Sequence, residues 1–301
     1  TEALSLWNEM LWIGIEPEKR DFVVAINACG KGRNWELALQ MLGEIKERDI
    51  AMDVRVYTAA MTACKDRDRW QVAVSLLEEM ERDKIVPDVF AYNAVMSACE
   101  KGRQLDAAER VKQEMERWGV SKDKFTCSSL ISACGWEKQW EKALDYFQYQ
   151  KENKLWPDII TYTALITTCA KADQWQWSLA LLEETRRNGT GQNIRTMNAV
   201  LGALAGAGEW QLALQVLQDL QGLSMRPNLI TYNNLLTACS GGRWELACKF
   251  LGEMRGAGIA PTEATYTAAI AACEQAGQGD LVAKLRQEMS QVRPARAPEE
   301  D

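Results

Sequence analysis

Residues 89–123 read VFAYNAVMSACEKGRQLDAAERVKQEMERWGVSKD, and shifted copies of this stretch account for nearly all of the 301-residue chain. An aromatic recurs at Tyr57, Tyr92, Tyr162, Tyr232 and Tyr266, each followed a short step later by a small residue and then a cysteine. Cys29, Cys64, Cys99, Cys134 and Cys169 keep a spacing of 35 residues; Leu204 takes the next place, Cys239 the one after it, and Cys273 follows after 34. A fixed period of this size implies stacked supersecondary units that share a continuous core, not one closed globule.

Working outward, the array 19–290 divides into eight units, 19–53, 54–88, 89–123, 124–158, 159–193, 194–228, 229–262 and 263–297, the last frayed at its end. Residues 1–18 read as the second helix of a partial repeat, with Leu4, Leu6, Trp7 and Met10 on one face; residues 291–301 read as a polar tail or linker. Unit 54–88 shows the internal pattern. Tyr57, Met61 and Cys64 fall at helical spacing, a polar turn follows, and Val74, Leu77 and Met80 fall at helical spacing again. Each unit is therefore expected to be helix, turn, helix, giving an all-α chain.

Asp53, Asp88, Asp123 and Asp158 close their units where a cap for the next helix belongs, and Asn193 and Asn228 serve equally well. Ala38, Ala73, Ala108, Ala143 and Ala213 keep one helix close to the next. Trp35, Trp70, Trp140, Trp175, Trp210 and Trp244 open six second helices, where packing between layers is the expected role. The seven laddered cysteines read as small buried hydrophobes, since stacked helices stand about 8–10 Å apart, too far for a disulfide.

With no histidine and no CxxC, histidine-ligated metals, zinc fingers and Ser–His–Asp or Cys–His catalysis are excluded by inventory, so no catalytic residue, cofactor or metal is expected. No apolar run is long enough for membrane insertion. No targeting segment is read in this sequence, so a leader or further repeats would lie outside it. The net charge of −7 argues against indiscriminate binding of polyanions, although the first-helix segments carry a small positive surplus.

Units 159–193 and 229–262 resemble the pentatricopeptide repeat, whose pattern is an apolar pair, Thr-Tyr-Asn or Thr-Tyr-Thr, a central small residue, Glu-Glu-Met late in the second helix and a closing Gly-Ile-x-Pro-Asp. The resemblance covers about residues 1–290. It implies a right-handed α-solenoid whose first helices line a groove for single-stranded RNA, one base per repeat. The base readers it implies are the fifth and last residues of the repeats: Thr58 with Asp88, Asn93 with Asp123, Ser128 with Asp158, Thr163 with Asn193, Asn198 with Asn228, and Asn233. Family preferences for these pairs spell 5′-GUGAY-3′. Val23, and the closing residues Thr262 beside Asn233 and Ala297 beside Thr267, depart from the pattern at the two ends of the array.

The second residues, expected to lie between bases, are Arg20, Arg55, Phe90, Phe125, Ile160, Arg195 and Ile230. Lys31, Lys65, Lys101 and Lys171, at the ends of first helices, are the expected phosphate contacts; Trp136 is a further candidate for touching a ligand. The resemblance also implies a non-enzymatic role in RNA metabolism of a chloroplast or mitochondrion. A protein-binding scaffold, with partners in an organellar ribonucleoprotein assembly, is the alternative.

Overall fold

First helices begin where a short polar side chain accepts from their free N–H groups. Asp53 takes the amides of Arg55 and Val56, Asp88 that of Ala91, and Asp123 that of Thr126. Asp158 takes those of Ile160 and Thr161, and Asn193 and Asn228 take those of Thr196 and Thr231. Second helices end in a left-handed residue at Gly14, Asp49, Lys84, Gly119, Lys154, Gly189, Ser224 and Gly258. The amide that follows turns back five residues, as Ile85 does to Met80 and Val120 to Met115. Start and stop signals thus repeat with the period of the sequence.

The computed structural model describes residues 2–32 and 34–291, Arg67 by its backbone alone. Regular structure among these residues is helical, and the chain forms two compact units, Thr1–Pro157 and Asp158–Asp301. The first holds α1 (Glu2–Trp12) and the pairs α2 (Lys19–Lys31) and α3 (Trp35–Glu47), α4 (Val54–Ala63) and α5 (Trp70–Arg82), α6 (Val89–Lys101) and α7 (Leu105–Arg117), and α8 (Lys124–Cys134) and α9 (Trp140–Glu152). The second holds α10 (Ile159–Lys171) and α11 (Trp175–Arg187), α12 (Ile194–Ala207) and α13 (Trp210–Gly222), α14 (Leu229–Ala238) and α15 (Trp244–Gly256), and α16 (Glu263–Gln275) and α17 (Gly279–Gln291).

Within each unit a first helix packs on its own second helix and on the first helix of the next repeat: α2 on α3 and α4, α4 on α5 and α6, α10 on α11 and α12, α12 on α13 and α14. Each unit is therefore an all-α repeat solenoid with a row of first helices along one side. The laddered cysteines are free and buried in this row. Burial raises their thiols, to about 11 at Cys64 and about 12 at Cys99 and Cys169, so they pack as neutral side chains. Ala38, Ala73, Ala108 and Ala143 are fully buried, and Ser178 fills the same place, its hydroxyl donating to backbone carbonyls of Gln174 and Ile166.

The tryptophans that open second helices are half-buried, and Trp35, Trp70 and Trp210 lean on the turn of the following repeat. The Arg69 guanidinium lies 4.2 Å from the ring centre of Trp35, and that of Arg243 lies 4.8 Å from Trp210. Trp70 meets Gly102 so closely that a β-carbon there would stand 2.7 Å from the ring. One expectation is corrected. Leu6 is exposed whereas Trp7 is buried, because neighbours on a helix are turned 100° apart and the buried face of α1 belongs to Trp7. The polar turn expected between α4 and α5 is a 3₁₀ turn over Arg67–Arg69, and α4 ends before it at Ala63. The expected tail 291–301 lies, after Gln291, outside the described residues.

Candidate nucleic-acid interface

The first turn of each first helix sorts its residues by angle. The third and fourth residues point into the core: Thr126, Thr161, Thr196, Thr231 and Thr265 are fully buried, as are Tyr57, Tyr92 and Tyr162. The second residue then points outward. Arg20, Arg55, Phe90, Phe125, Ile160, Arg195 and Ile230 are all exposed. Phe90 is 69% exposed and Phe125 and Ile160 65%, a large apolar area for side chains that would otherwise be buried.

The fifth residue sits at the boundary with the next repeat, half-buried at Asn93, Thr163 and Asn233 and buried, at 7% exposure, at Asn198. Asn93 Nδ2 donates to the Asp123 carboxylate at 2.9 Å, and Thr126 donates to Asn93 Oδ1 at 2.7 Å. Asn198 repeats the arrangement, donating to Asn228 Oδ1 at 3.1 Å and accepting from Thr231 at 2.7 Å. Asn233 accepts from Thr265 at 2.7 Å. Thr163 lies 2.7 Å from Thr196, whose hydroxyl donates to Asn193 Oδ1 at 3.0 Å. Fifth and last residues are thus joined directly, 30 positions apart in sequence, at Asn93 with Asp123 and at Asn198 with Asn228, while Thr163 reaches Asn193 through Thr196, and Asn233 reaches Thr262 through Thr265.

Thr58 differs. Ala91 stands where later repeats have threonine, and the Thr58 hydroxyl is buried without a partner. It borders a hollow of about 520 Å³ lined by Val23, Asn27, Arg55, Asp88 and Phe90. Ser128 donates to its own helix at Lys124 O, 2.9 Å away, and Asp158 caps α10 in the second compact unit. Asp53 faces Lys19 at 3.1 Å; burial works against its carboxylate, but Lys19 and the backbone amides hold it below the usual range.

Lys31, Lys101 and Lys171 are exposed at the ends of α2, α6 and α10. Lys65 is half-buried, and burial together with the nearby Lys101 lowers its pKa, so an anion placed between the two ammonium groups would relieve both. Trp136 is 43% exposed, with the Arg103 guanidinium 3.9 Å from its ring centre. Among the described residues no cluster of three or more acidic, cysteine or histidine side chains could hold a metal ion, and no helix is long and apolar enough to cross a membrane. The residues missed by sequence reading are the third-position threonines. Their signal, Thr recurring just before Tyr, was visible as part of the repeat pattern but carried no assigned task.

Three family profiles match the chain. "PPR repeat family" matches 87–136, 122–171 and 227–275; "Pentatricopeptide repeat domain" matches 40–101 and 180–243; "PPR repeat" matches 22–50, 160–190 and 264–292. Together they run from 22 to 292 without a gap. Among curated proteins there is no significant sequence match. Among solved structures, the pentatricopeptide repeat protein PPR10 from maize superposes with a TM-score of 0.65 at 20% identity, covering 96% of this chain and 47% of that one. The same maize protein in complex with an 18-nt psaJ RNA element gives 0.60 at 20% identity, covering 96% and 48%. The PPR domain of Arabidopsis thaliana protein-only RNase P 1 in complex with tRNA gives 0.51 at 13% identity, covering 60% and 94%. Likeness at these identities is likeness of fold. The chain spans about half the length of the maize protein.

Proposed function

This chain belongs to the pentatricopeptide repeat family, and we propose that it binds single-stranded RNA selectively along its row of first helices, one base per repeat. The observation that carries the reading is the junction of a fifth-residue amide with a last-residue carboxylate or amide, made at Asn93 with Asp123 and again at Asn198 with Asn228. Each junction is flanked by an exposed second residue able to lie against a base face. Two convergent polar groups per repeat can match the donors and acceptors of one Watson–Crick edge, which is how unstacked RNA is read.

On this reading Thr58 with Asp88 takes guanine and Asn93 with Asp123 takes uracil, whose N3–H meets the carboxylate while the amide donates to a carbonyl. Ser128 with Asp158 takes guanine, Thr163 with Asn193 adenine, and Asn198 with Asn228 a pyrimidine, giving 5′-GUGAY-3′. Asn233 would contribute at the next base. Arg20, Arg55, Phe90, Phe125, Ile160, Arg195 and Ile230 stack, and Lys31, Lys65, Lys101 and Lys171 meet phosphates. The role is non-catalytic, in RNA metabolism of a chloroplast or mitochondrion. The RNA complexes of the maize and Arabidopsis proteins support this reading through their shared fold.

Titrating a labelled GUGAU-containing oligonucleotide and its complement at several salt concentrations tests the proposal. Expected are a preference for GUGAU and an affinity that falls with salt by a log–log slope of about −0.7 per phosphate contacted. Equal affinity for both oligonucleotides would contradict it.

A further inference from the structure

Resting on the RNA reading above, we infer that the third-position threonine of one repeat is a positioning residue for the base reader of the repeat before it. Thr126 sets Asn93, Thr231 sets Asn198 and Thr265 sets Asn233. None of these threonines can touch RNA, since all three are fully buried. What each one reaches is the fifth-residue amide one repeat back.

The orientation follows from which atoms can donate. The ionised Asp123 carboxylate can only accept, so Asn93 turns its NH₂ toward it at 2.9 Å. That leaves Asn93 Oδ1 pointing at Thr126 Oγ1, 2.7 Å away. The hydroxyl also lies 2.9 Å from Asp123 Oδ1, but that oxygen already accepts the Thr126 backbone N–H, and giving the single hydroxyl proton to Asn93 Oδ1 keeps two bare oxygens from facing each other. The hydroxyl's own lone pair accepts the Asp123 backbone N–H at 3.3 Å. In the second unit Asn228 Oδ1 accepts the Thr231 backbone N–H at 3.1 Å and must therefore be an acceptor. Asn198 turns its NH₂ to it, and Asn198 Oδ1 receives the Thr231 hydroxyl at 2.7 Å. Thr231 in turn accepts the Asn228 N–H at 3.1 Å, and Thr265 the Thr262 N–H at 3.0 Å.

One hydroxyl thus serves two ends: it completes the cap of its own helix and fixes the amide of the preceding repeat. With the oxygen and one N–H of Asn93 engaged, the group left for the groove is the second N–H, a donor of fixed direction. Without the hydroxyl the amide oxygen would lose its partner and the side chain could turn, presenting a donor or an acceptor. A reader free to choose discriminates poorly. Thr58 is the natural contrast: Ala91 offers no hydroxyl, and Thr58 Oγ1 has no partner.

The test uses the whole chain with Thr126→Val and Thr126→Ser. Binding is measured to oligonucleotides that vary only the base opposite Asn93 or only the base opposite Ser128, with circular dichroism as the check on folding. Thr126→Val is expected to lose about fivefold to tenfold of the preference for uracil over purines at the Asn93 base, the worth of one oriented hydrogen bond. Preference at the Ser128 base stays, and Thr126→Ser restores the wild-type pattern. Uniform weakening of all oligonucleotides with preferences intact would reduce Thr126 to a helix cap and overturn the inference. An RNA-free readout separates the two levels: in protein labelled with ¹⁵N-asparagine, the Asn93 side-chain protons exchange slowly with water and Thr126→Val speeds that exchange. Unchanged exchange overturns the positioning role whatever RNA does. Absence of RNA binding by the wild-type chain overturns the proposed function and the reading role with it, while the exchange data still decide whether Thr126 holds Asn93.

Discussion

Asn93 and Asp123, 30 residues apart in sequence, meet at 2.9 Å where two repeats join. Both belong to the unit 89–123, but Asp123 also caps the first helix of the next repeat, so a base read there is read at the seam between repeats. Changing Asn93→Thr creates the combination that Thr58 and Asp88 already form one repeat earlier. We expect the preferred base at that position to change from uracil to guanine by about tenfold or more, because a matched base edge is worth about 1–3 kcal/mol. Competition binding with four oligonucleotides differing at that base checks this. A retained uracil preference would show that the seam does not read.

Gln150 occupies a place that Ile45, Met80, Met115, Leu220 and Met254 fill in other repeats. It is fully buried, and both its amide nitrogen and oxygen lack hydrogen-bond partners. Stranding a polar group costs about 1–3 kcal/mol. Gln150→Met should therefore raise stability by about that amount, seen as a higher midpoint in thermal or urea unfolding. A lower midpoint would mean that the amide has a partner, such as a buried water.

Lys154 ends a second helix with φ of 57°, at the place where Gly119 and Gly189 take 68° and 63°. A side chain in that left-handed region costs about 1 kcal/mol relative to glycine. Lys154→Gly should stabilise and Gly119→Ala should destabilise, each by about that amount, in paired denaturant titrations. Nothing lies within 4 Å of a β-carbon built at Gly119, so the loss there would report backbone strain and not a clash.

Glu81 sits between α5 and α7 beside Glu114, Arg117 and the Trp118 indole, which donates to it at 3.1 Å. Burial first, and then the Glu114 carboxyl, push its pKa above the usual carboxylate value; Trp118 and Arg117 pull the other way. A carboxyl with a raised folded-state pKa holds its proton more tightly folded than unfolded. Stability therefore falls as pH rises from the ordinary value through the raised one, and the penalty is complete above it. Glu81→Gln should raise the melting temperature near pH 7 and leave it unchanged near pH 3. An equal shift at both would assign the effect to packing.

The helical pairs were legible because two periods coincide in the sequence: 35 residues between units, and helical spacing inside each. Caps were legible too, since Asp88 or Asn193 has few other reasons to precede an apolar run. The junctions were less so. That Asn93 faces Asp123 follows from stacking, which the sequence alone expresses only through the family resemblance. Thr126 was passed over because a threonine beside a buried tyrosine reads as core, and its reach into the preceding repeat depends on a distance between two helices. Leu6 was misplaced for a similar reason: in a short apolar stretch the face is chosen by the neighbour, here Phe22, whose ring centre lies 4.9 Å from that of Trp7.

The most direct test of selective RNA binding is enrichment from a randomised single-stranded RNA pool by the folded chain at near-physiological salt, followed by sequencing. The prediction is enrichment of 5′-GUGAY-3′, with the second base set by Asn93 and Asp123. Recovery of RNA without any preferred sequence, or of no RNA, would contradict it and turn attention to a protein ligand for the same face.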